Sequence, residues 1–213
     1  MNTDDLISML ASGGSAVEAH ALRRRYMLAL GWAAFGATLL MSVLLGVRPD
    51  LWDAVRLPMF WVKLAFPLAL AAIAIPVILR LSRPGAALAR LPAALLAPPI
   101  AVWLLAAASL LTAAPAEHST LVFGDTWTDC LVNIGVLALP ALIALMWALK
   151  GAAPTRPALA GAAAGLCAGA IAAAVYALHC PELAAPFIGV WYVLGMLTPT
   201  ALGAIAGPRL LRW

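Results

Sequence analysis

The chain predicts an all-α fold, a polytopic membrane bundle of six transmembrane helices with both termini cytoplasmic. Three observations predict it. Of 213 residues, 65% are hydrophobic and 10% are charged, and the mean hydropathy is +1.01. A water-facing domain carries ~25% charged residues, so soluble enzymes and disordered tails are excluded. Six apolar runs each reach the ~20 residues that a helix needs to cross a bilayer with every backbone amide satisfied inside the segment. The basic residues, finally, fall on alternating sides of those runs with a strong bias.

In chain order the runs cover 26–47, 61–81, 91–113, 131–149, 158–178 and 187–207. The joints carry helix breakers and charge: Arg48-Pro49-Asp50, Arg83-Pro84-Gly85, the stretch 115–129, Pro154-Thr155-Arg156-Pro157 and Cys180-Pro181-Glu182. Twenty-five residues precede the first run and five further runs follow it, so it reads as a span rather than a cleaved leader. The organisation is then a cytoplasmic segment, residues 1–25, and a six-helix domain, residues 26–213. Pro67, Pro98, Pro99, Pro140 and Pro199 fall inside runs, where each predicts a local kink. Gly161, Gly165 and Gly169 recur every four residues in the fifth run, so they stack on one face and admit another backbone. Spacing does not decide whether that seam closes within the chain or against a second copy, and the oligomeric state stays open with it.

Orientation follows from the cations. Arg23, Arg24, Arg25, Arg80, Arg83, Arg90, Lys150, Arg156, Arg209 and Arg212 share one side, whereas Arg48, Arg56 and Lys63 take the other. The positive-inside rule puts the first group, and both termini, in the cytoplasm. Asp50, Asp53, Glu117, Asp125, Asp129 and Glu182 make the outer face locally anionic.

Little inside the runs could carry chemistry. Lys63 lies near an outer helix end, where its long stem can snorkel to water, and no carboxylate falls in any run. Proton relays and ion paths need buried ionisable groups, so a pump or ion-coupled transporter is disfavoured. No phosphate-cradling loop, zincin pair or serine elbow is present, and no enzymatic activity is expected. The outer joints are richer. Cys130 closes the loop after the third run and Cys180 opens the loop after the fifth, with His118, Asp129, His179 and Glu182 nearby. In an oxidising envelope the two thiols can form a redox-responsive or structural pair. Two thiolates with His179 or His118 would alternatively suit a soft metal such as zinc, copper or cadmium, and unrelated thiols are the third reading. Cys167 lies mid-run and reads as a small apolar packer.

The first 25 residues are too few to fold alone, so order there comes from a partner or the membrane. Thr3 is placed to cap a first helix, with Asp4 and Asp5 at its positive end and Leu6, Ile7 and Leu10 as an apolar stripe. Gly13-Gly14 breaks that helix, and Ser15-Ala16-Val17-Glu18 is a capping-box pattern that starts another. An interfacial helix on lipid is one reading. Two aspartates beside the stripe repel anionic headgroups and favour a protein partner for Asp4, Asp5, Leu6, Ile7 and Leu10.

Several segments carry a resemblance. Thr3-Asp4-Asp5-Leu6-Ile7, Gly46-Val47-Arg48-Pro49-Asp50-Leu51, Pro58-Met59-Phe60-Trp61-Val62-Lys63, Trp127 with Cys130, Ala177-Leu178-His179-Cys180-Pro181-Glu182 and Trp191-Tyr192-Val193-Leu194-Gly195 resemble, in order and spacing, the NrsF-type family of bacterial membrane anti-sigma factors. The resemblance spans the whole length. It implies a multi-pass protein of the bacterial inner membrane that binds an extracytoplasmic-function sigma factor through its cytoplasmic face and keeps it from RNA polymerase. No direct contact with nucleic acid and no resident cofactor are implied. It further implies that the cysteines matched by Cys130 and Cys180 sense heavy-metal or oxidative stress, with a transient metal ion as one input. Oxidation or metal binding there would shift the fourth and fifth spans against each other, alter the surface presenting residues 4–10, and release sigma. Two other classes compete. A membrane thiol oxidoreductase would use Cys130 and Cys180 catalytically, yet such enzymes need two exchanging pairs; a small metal or solute transporter would need the buried charge that the runs lack.

Overall fold

The computed structural model describes residues 2–13, 19–83, 85–152 and 154–212, and its regular structure is helical throughout. In chain order the helices are α1 (Thr3–Gly13), α2 (Ala19–Leu44), α3 (Leu51–Ala54), α4 (Pro58–Leu81), α5 (Leu91–Ala94), α6 (Ala97–Thr112), α7 (His118–Phe123), α8 (Trp127–Lys150), α9 (Pro157–Tyr176), α10 (Ala185–Phe187) and α11 (Val193–Leu210). A 3₁₀ turn, Pro115–Glu117, precedes α7, and a π-helical turn, Ile188–Tyr192, joins α10 to α11. Six segments are long and apolar enough to cross a membrane: Arg24–Leu44, Pro58–Leu81, Leu91–Thr112, Pro115–Lys150, Pro157–Tyr176 and Ala185–Leu210. Each of the six predicted runs falls on one of them.

α9 is the axis of the bundle. Its sequence, PALAGAAAGLCAGAIAAAVY, is nearly all Ala and Gly. In lipid, helices associate through van der Waals contact rather than through expulsion of water, so a thin helix admits the closest neighbours. α11, α8 and α4 pack on its sides, with α2 against α8 and α9. Gly161, Gly165 and Gly169 form the predicted seam, and it closes within the chain. A Cβ at Gly161 would stand 2.0 Å from the Gly203 carbonyl oxygen, and one at Gly165 would stand 2.0 Å from that of Pro199. The facing surface of α11 has its own four-residue spacing, Gly195, Pro199, Gly203 and Gly207, all buried. α6 is peripheral: Val102 and Ala106 are its buried residues, while Trp103, Leu104 and Leu111 are exposed toward the lipid zone.

Three local expectations are corrected. Pro98 and Pro99 do not kink a helix interior. They open α6, where the first turn has no intrahelical acceptor waiting for their missing N–H. The stretch 115–129 is not an open loop, because α7 fills it and α8 starts at Trp127, which moves Cys130 into the first turn of α8. At the start of the chain the cap is Asn2 rather than Thr3. Asn2 Oδ1 accepts from the Thr3 amide at 3.0 Å, Asp5 Oδ2 accepts from the Asn2 amide at 3.4 Å, and the Leu6 amide donates to the Asn2 carbonyl. The Asp5 side chain reaching back to the Asn2 amide is one half of a capping box, with Asn2 at the cap one residue upstream of the predicted Thr3. Leu6 and Ile7 are exposed on α1. The side chain of Leu10 and the capping box at 15–18 lie outside the described residues.

Candidate functional site around Cys180

The segments singled out in the sequence converge at one end of the bundle, on the loop that follows α9. Proline 181 ends any helical continuation there, so the carbonyls of 180–182 need partners from elsewhere. Two cations supply them. Lys63 Nζ donates to the carbonyls of Cys180 at 2.6 Å and Glu182 at 2.7 Å. Arg48 Nη1 donates to the carbonyls of Cys180 at 3.3 Å and Pro181 at 3.5 Å. The rest of the Arg48 fork is bidentate on Asp50, Nε to Oδ1 at 2.7 Å and Nη2 to Oδ2 at 2.6 Å. Those two bonds hold the Asp50 carboxyl below the usual aspartate range and the Arg48 guanidinium above its own. The Arg48 amide also donates to the Leu178 carbonyl, and the His179 Nδ1–H donates to the Gly46 carbonyl at 2.9 Å. Gly46 has φ +75°, a left-handed turn that frees its carbonyl for the imidazole.

Lys63 departs most from expectation. It does not snorkel. α4 begins at Pro58, so Lys63 sits more than a full turn inside the helix, and it is 0% exposed. A lysine beyond reach of water must satisfy its protons internally; two go to the loop carbonyls, and the face of Tyr192 lies 5.5 Å from Nζ. Tyr192 is fully buried, with Cys180 and Cys130 as the polar surroundings of its hydroxyl.

The two sensor candidates lie at this same end of the bundle. Cys130 comes from the first turn of α8 and Cys180 from the loop after α9; both are 0% exposed, both are unbridged, and they lie close enough to each other and to Lys63 to interact electrostatically. Both thiols, which the sequence places at the edges of joints, are enclosed. The histidines do not join them. His179 turns to Gly46, and the His118 Nε2–H donates to the Leu110 carbonyl at 2.9 Å. Among the described residues no three His, Cys, Asp or Glu side chains are grouped so as to hold a metal ion. Cys167 is buried inside α9, as expected of a packing residue.

Around this centre the loop is sewn to its neighbours. The Glu182 Oε1 accepts from the Asp125 amide at 2.9 Å, and its carboxylate fills the space beside Gly124, whose φ is +53°. Trp127 and Trp191 stack with centroids 4.8 Å apart, Phe123 contacts both, and Trp191 Nε1 donates to the Val122 carbonyl. The π turn makes this geometry: a widened turn rotates Trp191 and Tyr192 relative to α11 and leaves the Gly189 carbonyl to accept from Trp103 Nε1 at 2.8 Å. Lys63, Arg48 and Tyr192 were missed as site residues. Lys63 carried a signal, being, with Arg80 at the far end of the same run, one of two charged residues within the six predicted runs; Arg48 and Tyr192 carried none.

Lys63 also lies on a helix that reaches the opposite end. The last turn of α4 leads to Ser82, which shares a buried hydrogen bond with the Tyr26 hydroxyl on α2. Beside it, Arg25 of α2 donates to the Trp147 carbonyl and lies 4.1 Å over the Trp147 ring.

These features define a polytopic helical membrane protein with two enclosed thiols at one end, where one buried lysine ties the backbone of the Cys180 loop to a helix that spans the bundle. Residues 10–213 match the NrsF family, described as negative regulator of sigma F, and the chain belongs to that family. It is 56% identical over 213 residues to the probable anti-sigma-F factor NrsF of Azospira oryzae, and 40% identical over 225 aligned residues to the anti-sigma-F factor NrsF of Caulobacter vibrioides, in both cases across the full length of each protein. No solved structure matches the chain.

Proposed function

We propose that this chain is an anti-sigma factor of the bacterial inner membrane, with both termini cytoplasmic, that holds an extracytoplasmic-function sigma factor and releases it on envelope thiol stress. The observation that carries the reading is the full-length identity of 56% to a protein named as an anti-sigma-F factor. The cytoplasmic contact is assigned to α1, through Asp4, Asp5, Leu6, Ile7 and Leu10. The exposed Leu6 and Ile7 support that assignment, since each leaves apolar surface that a partner would cover.

Cys130 and Cys180 are the sensor. A thiol-specific oxidant takes two electrons and two protons from the pair and leaves one S–S bond; a soft cation instead displaces the two protons and bridges two thiolates. Either event pulls Cys180 toward α8, and the carbonyls held by Lys63 and Arg48 move with it. The route to the other face then runs through the second span, α4, and on through Ser82 and Tyr26 to α2, which leads back to the docking segment. This revises the path predicted through the fourth and fifth spans, because the hydrogen bonds of the Cys180 loop go to Lys63 and Arg48. A tenfold loss of sigma affinity needs the two states to differ by only ~1.4 kcal/mol in sigma binding.

The test is capture of the cognate sigma factor by the detergent-solubilised protein before and after diamide or Cd²⁺. Native protein should capture sigma and release it on treatment, whereas Cys130→Ser with Cys180→Ser should capture it and not release it. Release by the double variant would overturn the sensor assignment; failure of the native protein to capture sigma would overturn the function. Deletion of residues 3–12 should abolish capture.

A further inference from the structure

At the end of the bundle opposite Cys180, a cleft of ≈ 380 Å³ lies between the turn leaving α4 and the turn entering α9. Arg80, Arg83, Arg156 and Thr155 line one part of it, and Leu81 and Leu88 line another. The cleft is built rather than incidental. Arg80 Nη1 donates to the carbonyls of Ala87 at 3.3 Å and Leu88 at 3.1 Å, which folds the segment after Gly85 back over the helix end, and Gly85 and Ala89 turn in left-handed conformations at φ +76° and +50°. No acidic residue lines the cleft. Among the described residues the ion pairs are Arg48 with Asp50 and Arg56 with Asp53, so none of these three guanidinium groups has a carboxylate. The Arg83 and Arg156 side chains and the Thr155 hydroxyl have no hydrogen-bond partner among the described residues.

Three cations and a hydroxyl without an anion, beside apolar side chains, at the last turn of a membrane-crossing helix, match the chemistry of a phosphate group that carries acyl chains. We propose that this cleft binds the headgroup of an anionic phospholipid, with the phosphate held by Arg83, Arg156 and Thr155 and the apolar part against Leu81 and Leu88. Guanidinium groups hold phosphate oxygens bidentately, and a basic recess between helix ends at the bilayer surface recognises anionic headgroups. Arg80 shapes the wall through the Ala87 and Leu88 carbonyls and adds positive potential. The site does not depend on which compartment it faces, nor on the sigma reading. Bound lipid would tie the α4–α5 turn to the α8–α9 turn, so the energy of the end that follows Ser82 would depend on membrane composition.

The test uses the full chain in a neutral detergent, with retention of added lipid read by native mass spectrometry and thermal unfolding read in parallel. The probes are phosphatidylglycerol and phosphatidylcholine, with inorganic phosphate and an acidic peptide as competitors. Phosphatidylglycerol should be retained about tenfold or more over phosphatidylcholine and should raise the unfolding temperature. Arg83→Gln with Arg156→Gln should abolish that preference while unfolding normally without lipid, since neither side chain has a partner among the described residues. Arg90→Gln with Arg212→Gln removes the same charge elsewhere and should keep it. An unchanged preference in the Arg83 and Arg156 variant, or equal loss in both variants, would overturn the site. Displacement of the lipid by millimolar inorganic phosphate would overturn the lipid assignment in favour of a free anion, as would displacement by an acidic peptide in favour of a protein partner.

Discussion

Lys63 Nζ donates to the Cys180 carbonyl at 2.6 Å, a bond that spans 117 positions of sequence and joins the start of one membrane helix to the loop that ends another. It lets a loop without regular hydrogen bonding of its own sit inside the bundle. The ammonium satisfies carbonyls that Pro181 denies a helix, and the carbonyls solvate an ammonium that has no carboxylate. Neither partner is stable in that place without the other.

Lys63→Met therefore leaves the Glu182 carbonyl without its donor and the Cys180 carbonyl with Arg48 alone. Two hydrogen bonds to a charged group contribute about 3–6 kcal/mol together, partly offset because the variant no longer buries an ammonium, so it should lose about 2–3 kcal/mol, read by denaturant unfolding in detergent. Native stability in this variant would mean that the clamp is not made in solution.

Burial of the thiols sets their reactivity. Cys130, Cys167 and Cys180 are all enclosed, so a bulky maleimide should label none in the folded protein and all three after denaturation in SDS. In Lys63→Met the loop is released and Cys180 should label faster, while Cys167, deep in α9, should not change. Rapid labelling of native Cys180 would contradict its enclosure.

The α9–α11 seam predicts a paired result. Gly165→Ala drives a methyl into the Pro199 carbonyl and should cost about 1–3 kcal/mol or more. Gly31→Ala, in α2 with nothing within 4 Å of the added methyl, should be neutral or stabilising by up to ~1 kcal/mol. Thermal unfolding of the two variants side by side checks the seam, and equal effects would contradict it.

The Arg48–Asp50 pair gives a pH dependence. Its bonds depress the Asp50 pKa below the ordinary value of 3.8, so the contribution to stability is present above that value and is lost as pH falls through the lower folded value. The native protein should exceed Asp50→Asn in unfolding temperature by a constant margin above about pH 5, and the margin should shrink below pH 4. A margin that grows on acidification would reverse the assignment.

Much of the fold was legible because the bilayer imposes it. A run of apolar residues of the right length has few alternatives to a spanning helix, and Gly161, Gly165 and Gly169 announce a face that another backbone must meet. The site was legible only in pieces. Cys130 and Cys180 were identified, yet as loop thiols, because a cysteine next to Pro181 reads as exposed until its neighbours are known. His118 and His179 looked like ligands by type; their rings serve the Leu110 and Gly46 carbonyls instead.

What the residues determined unaided was therefore what each segment does in isolation: six helices, their breaks, the small-residue face and the presence of two thiols near one boundary. What tertiary structure alone decided was which α11 surface closes the seam, that a lysine lies enclosed rather than reaching water, and that Arg48, Lys63, Tyr192 and the thiols share one site. The site contacts join residues from separate helices and their connections through polar groups that find each other only after the helices have packed, whereas the seam is fixed by the close van der Waals approach of two small-residue faces.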